Sequence, residues 1–246
     1  MAANHTRREL SPAIRAFVVL AFLCASRTAA AQSTPIPAVH TEQYAVVTGS
    51  DTASFEMVTT CADRLIAEVD AAKSQAYITY EMFLGSDGYP TGLNEAVWRG
   101  KVGPSIPPTQ IVRTVVRQDS IITDVSLASS AQTQRHAVQP HSFPFISGYV
   151  AIMTQLLRLF QASNTPQVHL FWIATRGHTS EARLVKRTAD SVVIMMDTVA
   201  VAARISQGGV VESIIFDDGK SQIVRLRTPN PPHIDDRCAA RPTDKP

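Results

Sequence analysis

The chain has 246 residues, of which 45% are hydrophobic and 18% are charged. This balance is typical of one globular domain with a hydrophobic core, and it excludes a disordered or fibrous chain. The 23 basic and 21 acidic residues give a formal charge of +2, so the total charge does not indicate a nucleic-acid-binding surface.

The first 31 residues have the pattern of a secretory signal peptide. Arg7, Arg8 and Arg15 precede an apolar run over residues 16–25, and small residues such as Ala31 follow it. A run of this length is too short for a membrane span, which needs about 20 residues. We therefore predict cleavage near Ala31, export from a bacterial cell to the periplasm or the exterior, and no transmembrane segment in the mature chain.

Removal of residues 1–31 changes both the charge and the cysteine count. Four basic residues and one acidic residue lie in that segment, so the mature chain keeps 19 basic and 20 acidic residues, a net charge of −1. It also keeps two cysteines, Cys61 and Cys238, and disulfides persist in exported proteins. We predict a bond between these cysteines; two separate thiols, one buried and one exposed, are the alternative.

The mature sequence divides into one domain with loosely ordered ends. Residues 32–41 form a polar, proline-bearing lead-in, and residues 228–246 form a charged tail with five prolines. Residues 42–227 contain no long linker and no repeat of fixed period, which favours a single domain.

That domain consists mainly of short runs rich in Val, Ile, Thr, Phe and Tyr, separated by turn-forming Gly and Asp. Because the separators are short, neighbouring strands run antiparallel. We predict a mainly β (α+β) fold, a curved antiparallel sheet or half-open barrel of roughly ten or more strands. The predicted strands are Tyr44–Val47, Ser54–Thr60, Leu65–Val69, Ala76–Leu84, Leu93–Arg99, Gln110–Val116, Ile121–Leu127, Val168–Ala174, Ala182–Lys186, Val192–Met196, Val199–Ile205, Val210–Phe216 and Gln222–Leu226.

One amphipathic helix is predicted to pack on this sheet, over Phe145–Phe160. Large apolar residues recur there at intervals of three and four, and Thr154, Gln155 and Arg158 fall on the opposite face. Ser142 is the predicted N-cap, with Pro144 in the first turn.

The order of these segments resembles that of bacterial exported domains of unknown function. A Tyr-x-Val opening strand is followed by a long meander, the proline-led segment Pro140–Phe145, and a closing meander around 197–201 and 208–212. Those domains are similar in architecture to periplasmic lipoprotein carriers and their mycobacterial lipid-binding relatives, which fold as a half-closed β-barrel with helical cover. The resemblance spans residues 42–227 and implies no catalytic residue; this chain lacks a lipid-anchor cysteine and has less helix than the carriers.

Catalytic motifs are absent from the sequence, and we expect no cofactor. The nearest metal candidates are His136 and His141, but a zinc site needs three or four converging ligands, so ordinary loop histidines are the preferred interpretation. A secreted metal-dependent or carboxylate-dependent hydrolase, using these histidines or Asp119, Asp124 and Asp190, remains an alternative function.

The leading hypothesis is a non-enzymatic exported binding or carrier module. Val192–Met196 and Ile214–Phe216 are apolar on both faces, so they need cover on both sides, and a lipid or acyl chain would supply it. A structural envelope protein without a ligand is the third alternative. Arg183, Lys186, Arg187, Arg225 and Arg227 form a predicted solvated stripe, with anionic lipid headgroups as its alternative partner. The candidate ligand-binding residues on the concave side are Tyr149, Met153, Leu156, Phe160, Trp172 and Met195.

Overall fold

The computed structural model describes residues 39–100, 103–162, 165–173, 177–206, 209–217, 219–227 and Cys238. The predicted signal peptide, most of the lead-in and all of the tail except Cys238 lie outside these residues. Within them the fold is mainly β, as predicted, with one sheet of 15 strands and one helix.

The strands are β1 (His40–Thr48), β2 (Asp51–Thr60), β3 (Arg64–Ala71), β4 (Ala76–Leu84), β5 (Pro90–Arg99), β6 (Gln110–Val116), β7 (Ser120–Leu127), β8 (Ser130–Ala137), β9 (Phe143–Phe145), β10 (Gln167–Trp172), β11 (His178–Arg187), β12 (Ser191–Met196), β13 (Val199–Ile205), β14 (Val211–Phe216) and β15 (Ser221–Leu226). The helix α1 spans Val150–Ala162.

Hydrogen bonding orders the sheet as β8-β7-β6-β5-β4-β3-β2-β1-β15-β14-β13-β12-β11-β10-β9. Every neighbouring pair is antiparallel except β9 and β10, which are parallel. The parallel pair follows from the connection between them: α1 lies between β9 and β10 in the chain, and a crossover of this kind returns a strand in the same direction.

The connection between β8 and β9 shows that the sheet is strongly curved. These strands are the two edges of the sheet, yet only residues 138–142 join them. A flat sheet of 15 strands would be about 67 Å wide, whereas that connection spans at most about 22 Å. The sheet therefore curls until its edges lie near each other, and β9 contacts β5.

The two edges overlap rather than pair. His136 of β8 lies opposite the buried Ile121 in the ladder, so its ring points toward the inner face of β8. That ring packs against Phe171 of β10, with 5.1 Å between ring centroids. Phe171 is buried although it points away from the core side of β10, because the β8 edge covers it.

Helix α1 lies inside the curled sheet. Ten of its 13 residues are buried, including Thr154 and Gln155 of the predicted polar face. It contacts β2, β3, β9 and β12, which come from well-separated parts of the sheet. Within the described part of the chain, no helix has both the length and the apolar character needed to cross a membrane.

The predicted start of the helix is wrong. Residues 143–145 form the short strand β9, and the helix begins five residues later, at Val150. Gly148 has φ +88°, a left-handed conformation that interrupts a right-handed helix. Pro144 fits the edge strand because a proline lacks the amide hydrogen that an inner strand would need.

Cys61, at the end of β2, is bonded to Cys238 in the structure, and their Cα atoms are 5.5 Å apart. Cys61 is buried. The bond joins positions 177 residues apart and ties Cys238 to the beginning of the domain.

Candidate lipid-binding surface

The predicted concave-side residues divide between the interior and the exterior. Leu156 and Phe160 of α1 are fully buried, and Met153 is 4% exposed. Tyr149 and Trp172 are partly buried and pack against the same core. These five side chains therefore contact the protein's own interior, where α1 occupies the space enclosed by the sheet.

Glu56 on β2 anchors the beginning of this helix. Its carboxylate accepts hydrogen bonds from the backbone amides of Val150 and Ala151, both at 2.8 Å, and from the hydroxyl of Tyr80. The first amides of a helix have no partner within it and carry partial positive charge, so a carboxylate stabilises that end. Glu56 is 0% exposed. Burial raises the pKa of Glu56 to about 7, against the opposing effect of these hydrogen bonds.

A second buried carboxyl group lies on the same side of the helix. The hydroxyl of Tyr149 donates to Glu95 on β5 at 3.0 Å, and the ring of Tyr149 stacks on Tyr80 with centroids 4.6 Å apart. Burial raises the pKa of Glu95 and of both tyrosines. Because each group in this cluster bonds to another part of the chain, the arrangement attaches α1 to β2, β4 and β5.

The sequence interpretation missed this cluster. Its signal was present in the predicted strand Ser54–Thr60, where the two-residue period places Glu56 on the same face as Val58. A charged residue on the core face of a strand indicates a buried partner.

Two arginines lie near the other end of the helix. Arg187 donates to the carbonyl oxygen of Phe160 at 3.2 Å, and Arg158 donates to Thr60 and to the carbonyl of Gly209. Burial lowers the pKa of Arg158. Both ends of α1 therefore carry the charge that complements the helix dipole.

The outward-facing side of β12, β13, β14, β15, β1 and β2 is different in character. Ile214 and Ile223 point into the core, so the residues next to them point outward. Ladder pairing places the outward apolar residues in two rows, Phe55–Ala45–Val224 and Ile215–Ala202–Val193, which are offset by two residues because Val224 pairs with Ser213 and Ile215 pairs with Gln222. We call this set the outer strip: Phe55, Ala45, Val224, Ile215, Ala202, Val193 and Met195.

The outer strip includes exposed large side chains. Phe55 is 40% exposed and Ile215 is 52% exposed. The outward residues between them are uncharged, such as Ser213, Gln222 and Gln43. Six neighbouring strands span about 24 Å, which makes a broad face. Met195, predicted as a ligand contact on the concave side, lies instead on this outer strip, opposite Arg183 in the ladder.

Other parts of the outer face are covered by the protein itself. On β5, Trp98 is 6% exposed because the segment after the strand folds over it, and its indole nitrogen donates to the carbonyl of Ile106 at 2.7 Å. On β10, Phe171 is covered by the β8 edge. Phe55 and Ile215 of the outer strip have no such cover from the described residues, whereas Ala45 is 6% exposed and Val224, Val193 and Met195 are partly buried.

Charged residues border the outer strip on two sides. Arg183 and Lys186 of β11 lie opposite Met195 and Val193, and Glu68 and Asp70 lie on the outward side of β3. The predicted basic stripe is thus divided, because Arg187 points inward to α1. Arg225 also points inward and pairs with Glu42 and Glu212.

The histidine and aspartate candidates for hydrolysis do not converge. The ring of His136 contacts Phe171, whereas Nδ1 of His141 lies 3.4 Å from Oδ2 of Asp87. Asp119, Asp124 and Asp190 each accept a hydrogen bond from a nearby hydroxyl, of Ser120, Thr133 and Thr188 respectively. Among the described residues there is no group of three or more His, Cys, Asp or Glu side chains that could hold a metal ion.

The comparisons with known proteins give no family and no function. No protein-family model matches the chain, and no curated protein matches it. A DUF1089 family protein from Pseudomonas aeruginosa superposes with a TM-score of 0.48 and 10% identity, over 67% of this chain and 90% of that chain. A beta-barrel-like protein with the domain of unknown function DUF1849 from Brucella abortus superposes with a TM-score of 0.42 and 12% identity, over 76% of this chain and 94% of that chain.

Proposed function

We propose that this protein is an exported, non-enzymatic module that binds lipid through the outer strip. The supporting observation is the exposure of large apolar side chains on the outward side of this part of the sheet, Phe55 at 40% and Ile215 at 52%. Large exposed apolar patches on proteins commonly mark sites of contact with proteins, membranes or ligands.

The position of the lipid differs from the concave-side hypothesis. Leu156 and Phe160 are already covered by the sheet, so they have no exposed surface to offer a ligand. Val193 and Met195, by contrast, are only partly buried and keep their outward side free. β12 and β14 are apolar on both faces, so their outward faces also need cover. Lipid on the outside supplies that cover.

Charge favours a lipid surface over a purely apolar partner. Lys186 and Arg204 flank the apolar residues on β11 and β13, whereas Glu68 and Asp70 border the strip on β3, so the cationic side is the part that suits the surface of an anionic membrane. Export, predicted from residues 1–31, would bring the protein to the cell envelope, where such surfaces are present.

The test is sedimentation of the purified protein with vesicles of phosphatidylcholine and phosphatidylglycerol. Ile215→Asp and Phe55→Asp remove exposed apolar side chains from the outer strip, so each should weaken binding about tenfold or more, the loss expected for one apolar side chain that leaves the lipid.

The matched control is Leu127→Asp on β7. Leu127 is 47% exposed but lies outside the outer strip. The Leu127→Asp variant should bind vesicles as tightly as the unmodified protein does. Absence of vesicle binding by the unmodified protein, or an equal loss in the control, would refute the proposal.

A further inference from the structure

A cleft opens where β13, β14 and β15 reach one end of the sheet. The ladder between β14 and β15 stops at the pair Ser213–Val224, although β14 begins at Val211 and β15 continues to Leu226. The two strands therefore separate beyond that pair. The resulting cleft has a volume of about 400 Å³.

Charged side chains of both signs line this cleft. They are Arg204, Arg225 and Arg227, together with Asp190 and Glu212. Arg225 bridges the separated strands by pairing with both Glu42 and Glu212, so this group of three side chains has a formal charge of −1 and Arg225 is not available to a ligand anion.

Arg204 and Arg227 are exposed and form no ion pair with any residue that the structure describes. Asp190 also lines the cleft and has the opposite charge, and its carboxylate accepts a hydrogen bond from the hydroxyl of Thr188 at 2.7 Å. The guanidinium groups of Arg204 and Arg227 have no ion-pair partner among the described residues, so they are the part of the cleft that suits an anion, and a guanidinium matches the oxygens of a phosphate in geometry as well as charge.

The cleft is continuous with the outer strip. Ser213 and Val224 line the cleft, and Val224 also lies opposite Ala45 within the outer strip. Ile215 is two residues beyond Ser213 on the same outward side of β14. A molecule with an anionic end in the cleft would therefore lay its apolar part along the exposed Ile215.

We propose that this cleft binds the phosphate of an anionic lipid headgroup while the acyl chains lie on the outer strip. The inference rests on the proposed lipid-binding function and adds a headgroup class to it. It assigns different roles to two sets of residues: the apolar outer strip provides affinity for any lipid surface, and Arg204 with Arg227 provides the preference for anionic lipid.

The experiment compares vesicles of phosphatidylcholine alone with vesicles that also contain phosphatidylglycerol. The unmodified protein should bind the anionic vesicles more tightly. Arg204→Gln and Arg227→Gln should each reduce that preference about fivefold, the effect of one basic residue near an anionic membrane, and should weaken binding to phosphatidylcholine less, because its choline cation offsets the charge of its phosphate. Arg113→Gln and Arg117→Gln, exposed arginines on and just after β6, are the matched controls and should keep the preference. Circular dichroism of each variant checks that the sheet is intact.

The outcomes separate the two proposals. Absence of binding to both vesicle types refutes the proposed function and, with it, the headgroup site. Equal binding to both vesicle types by the unmodified protein, or an equal loss in the β6 controls, refutes the headgroup site but leaves the lipid surface. If inorganic phosphate alone protects the protein against thermal unfolding in an Arg204-dependent way while phosphatidylglycerol adds nothing to vesicle binding, the cleft takes a free anion and the headgroup assignment is overturned.

Discussion

The inner and outer faces of the sheet can be compared at adjacent residues. On β14, Ile214 is 0% exposed and Ile215 is 52% exposed. On β2, the usual polarity is reversed, because the charged Glu56 points inward and is fully buried, while the apolar Phe55 points outward and is 40% exposed.

This difference shows how the side chains of each face are covered and paired. The inner face is completed by α1, whose amides supply the partners that the Glu56 carboxylate requires. Over the outer strip, the described residues supply no equivalent element. The charged residue on the inside thus has an explanation in helix anchoring, whereas the exposed apolar residue on the outside is what the proposed lipid contact would cover.

The largest expected effect is on the inner face. Phe160→Ala removes a fully buried ring from α1 and should lower the free energy of unfolding by about 4 kcal/mol, through lost burial and the cavity that remains. Urea denaturation followed by circular dichroism measures it. A loss below about 1 kcal/mol would show that α1 is not packed as a core element.

The second-largest expected effect is the pH dependence of the free energy of unfolding that Glu56 contributes. Because burial raises its pKa from an ordinary 4.5 to about 7, the folded protein holds this proton more tightly than the unfolded chain does. The corresponding stability is complete below pH 4.5 and is lost as the pH rises through 7, a change of about 3 kcal/mol. Glu56→Gln cannot titrate, so the difference in unfolding free energy between the unmodified protein and this variant should change by that amount over this pH range.

Glu68→Gln is the control for this measurement. Glu68 accepts a hydrogen bond from Tyr77 at 2.9 Å on the outward side of β3, away from α1. The Glu68→Gln variant should keep the pH-dependent change that Glu56 produces, because Glu56 and α1 are unaltered in it. A Glu56→Gln variant with the same pH profile as the unmodified protein would show that the helix anchor does not titrate in this range.

The smallest effect is expected on the outer face. Ile215→Ser changes a side chain that is 52% exposed, so the free energy of unfolding should change by no more than about 0.5 kcal/mol. Thermal unfolding of the variant measures it. A loss as large as that of Phe160→Ala would mean that Ile215 is covered within the protein, and the contrast between the faces would disappear.

Much of the strand content was predictable because local signals suffice for it. The predicted bounds of β4, β6 and β13 agree with the structure, and each of these strands is rich in β-branched or aromatic residues and is followed by a short connection. Two strands were missed. β8 (Ser130–Ala137) lacks large apolar residues because it is an exposed edge, and β9 contains Pro144, which only an edge strand tolerates.

The candidate site was less predictable. Hydrophobicity identified Met195 and Phe160 as equivalent apolar residues, but one lies on the outer strip and the other in the core. Nor does sequence spacing relate Glu56 to Val150, since 94 residues separate the two partners of that hydrogen bond.

By itself, the sequence determined most of the strand-forming segments, their antiparallel succession and the presence of helix α1, because propensities and turn residues act over short distances. Only the tertiary structure decided that the sheet curls around α1, that Glu56 anchors the helix, and that Ile215 stays exposed while Ile214 is buried. Those outcomes depend on which face of each strand the helix occupies, and that depends on contacts between residues far apart in the chain.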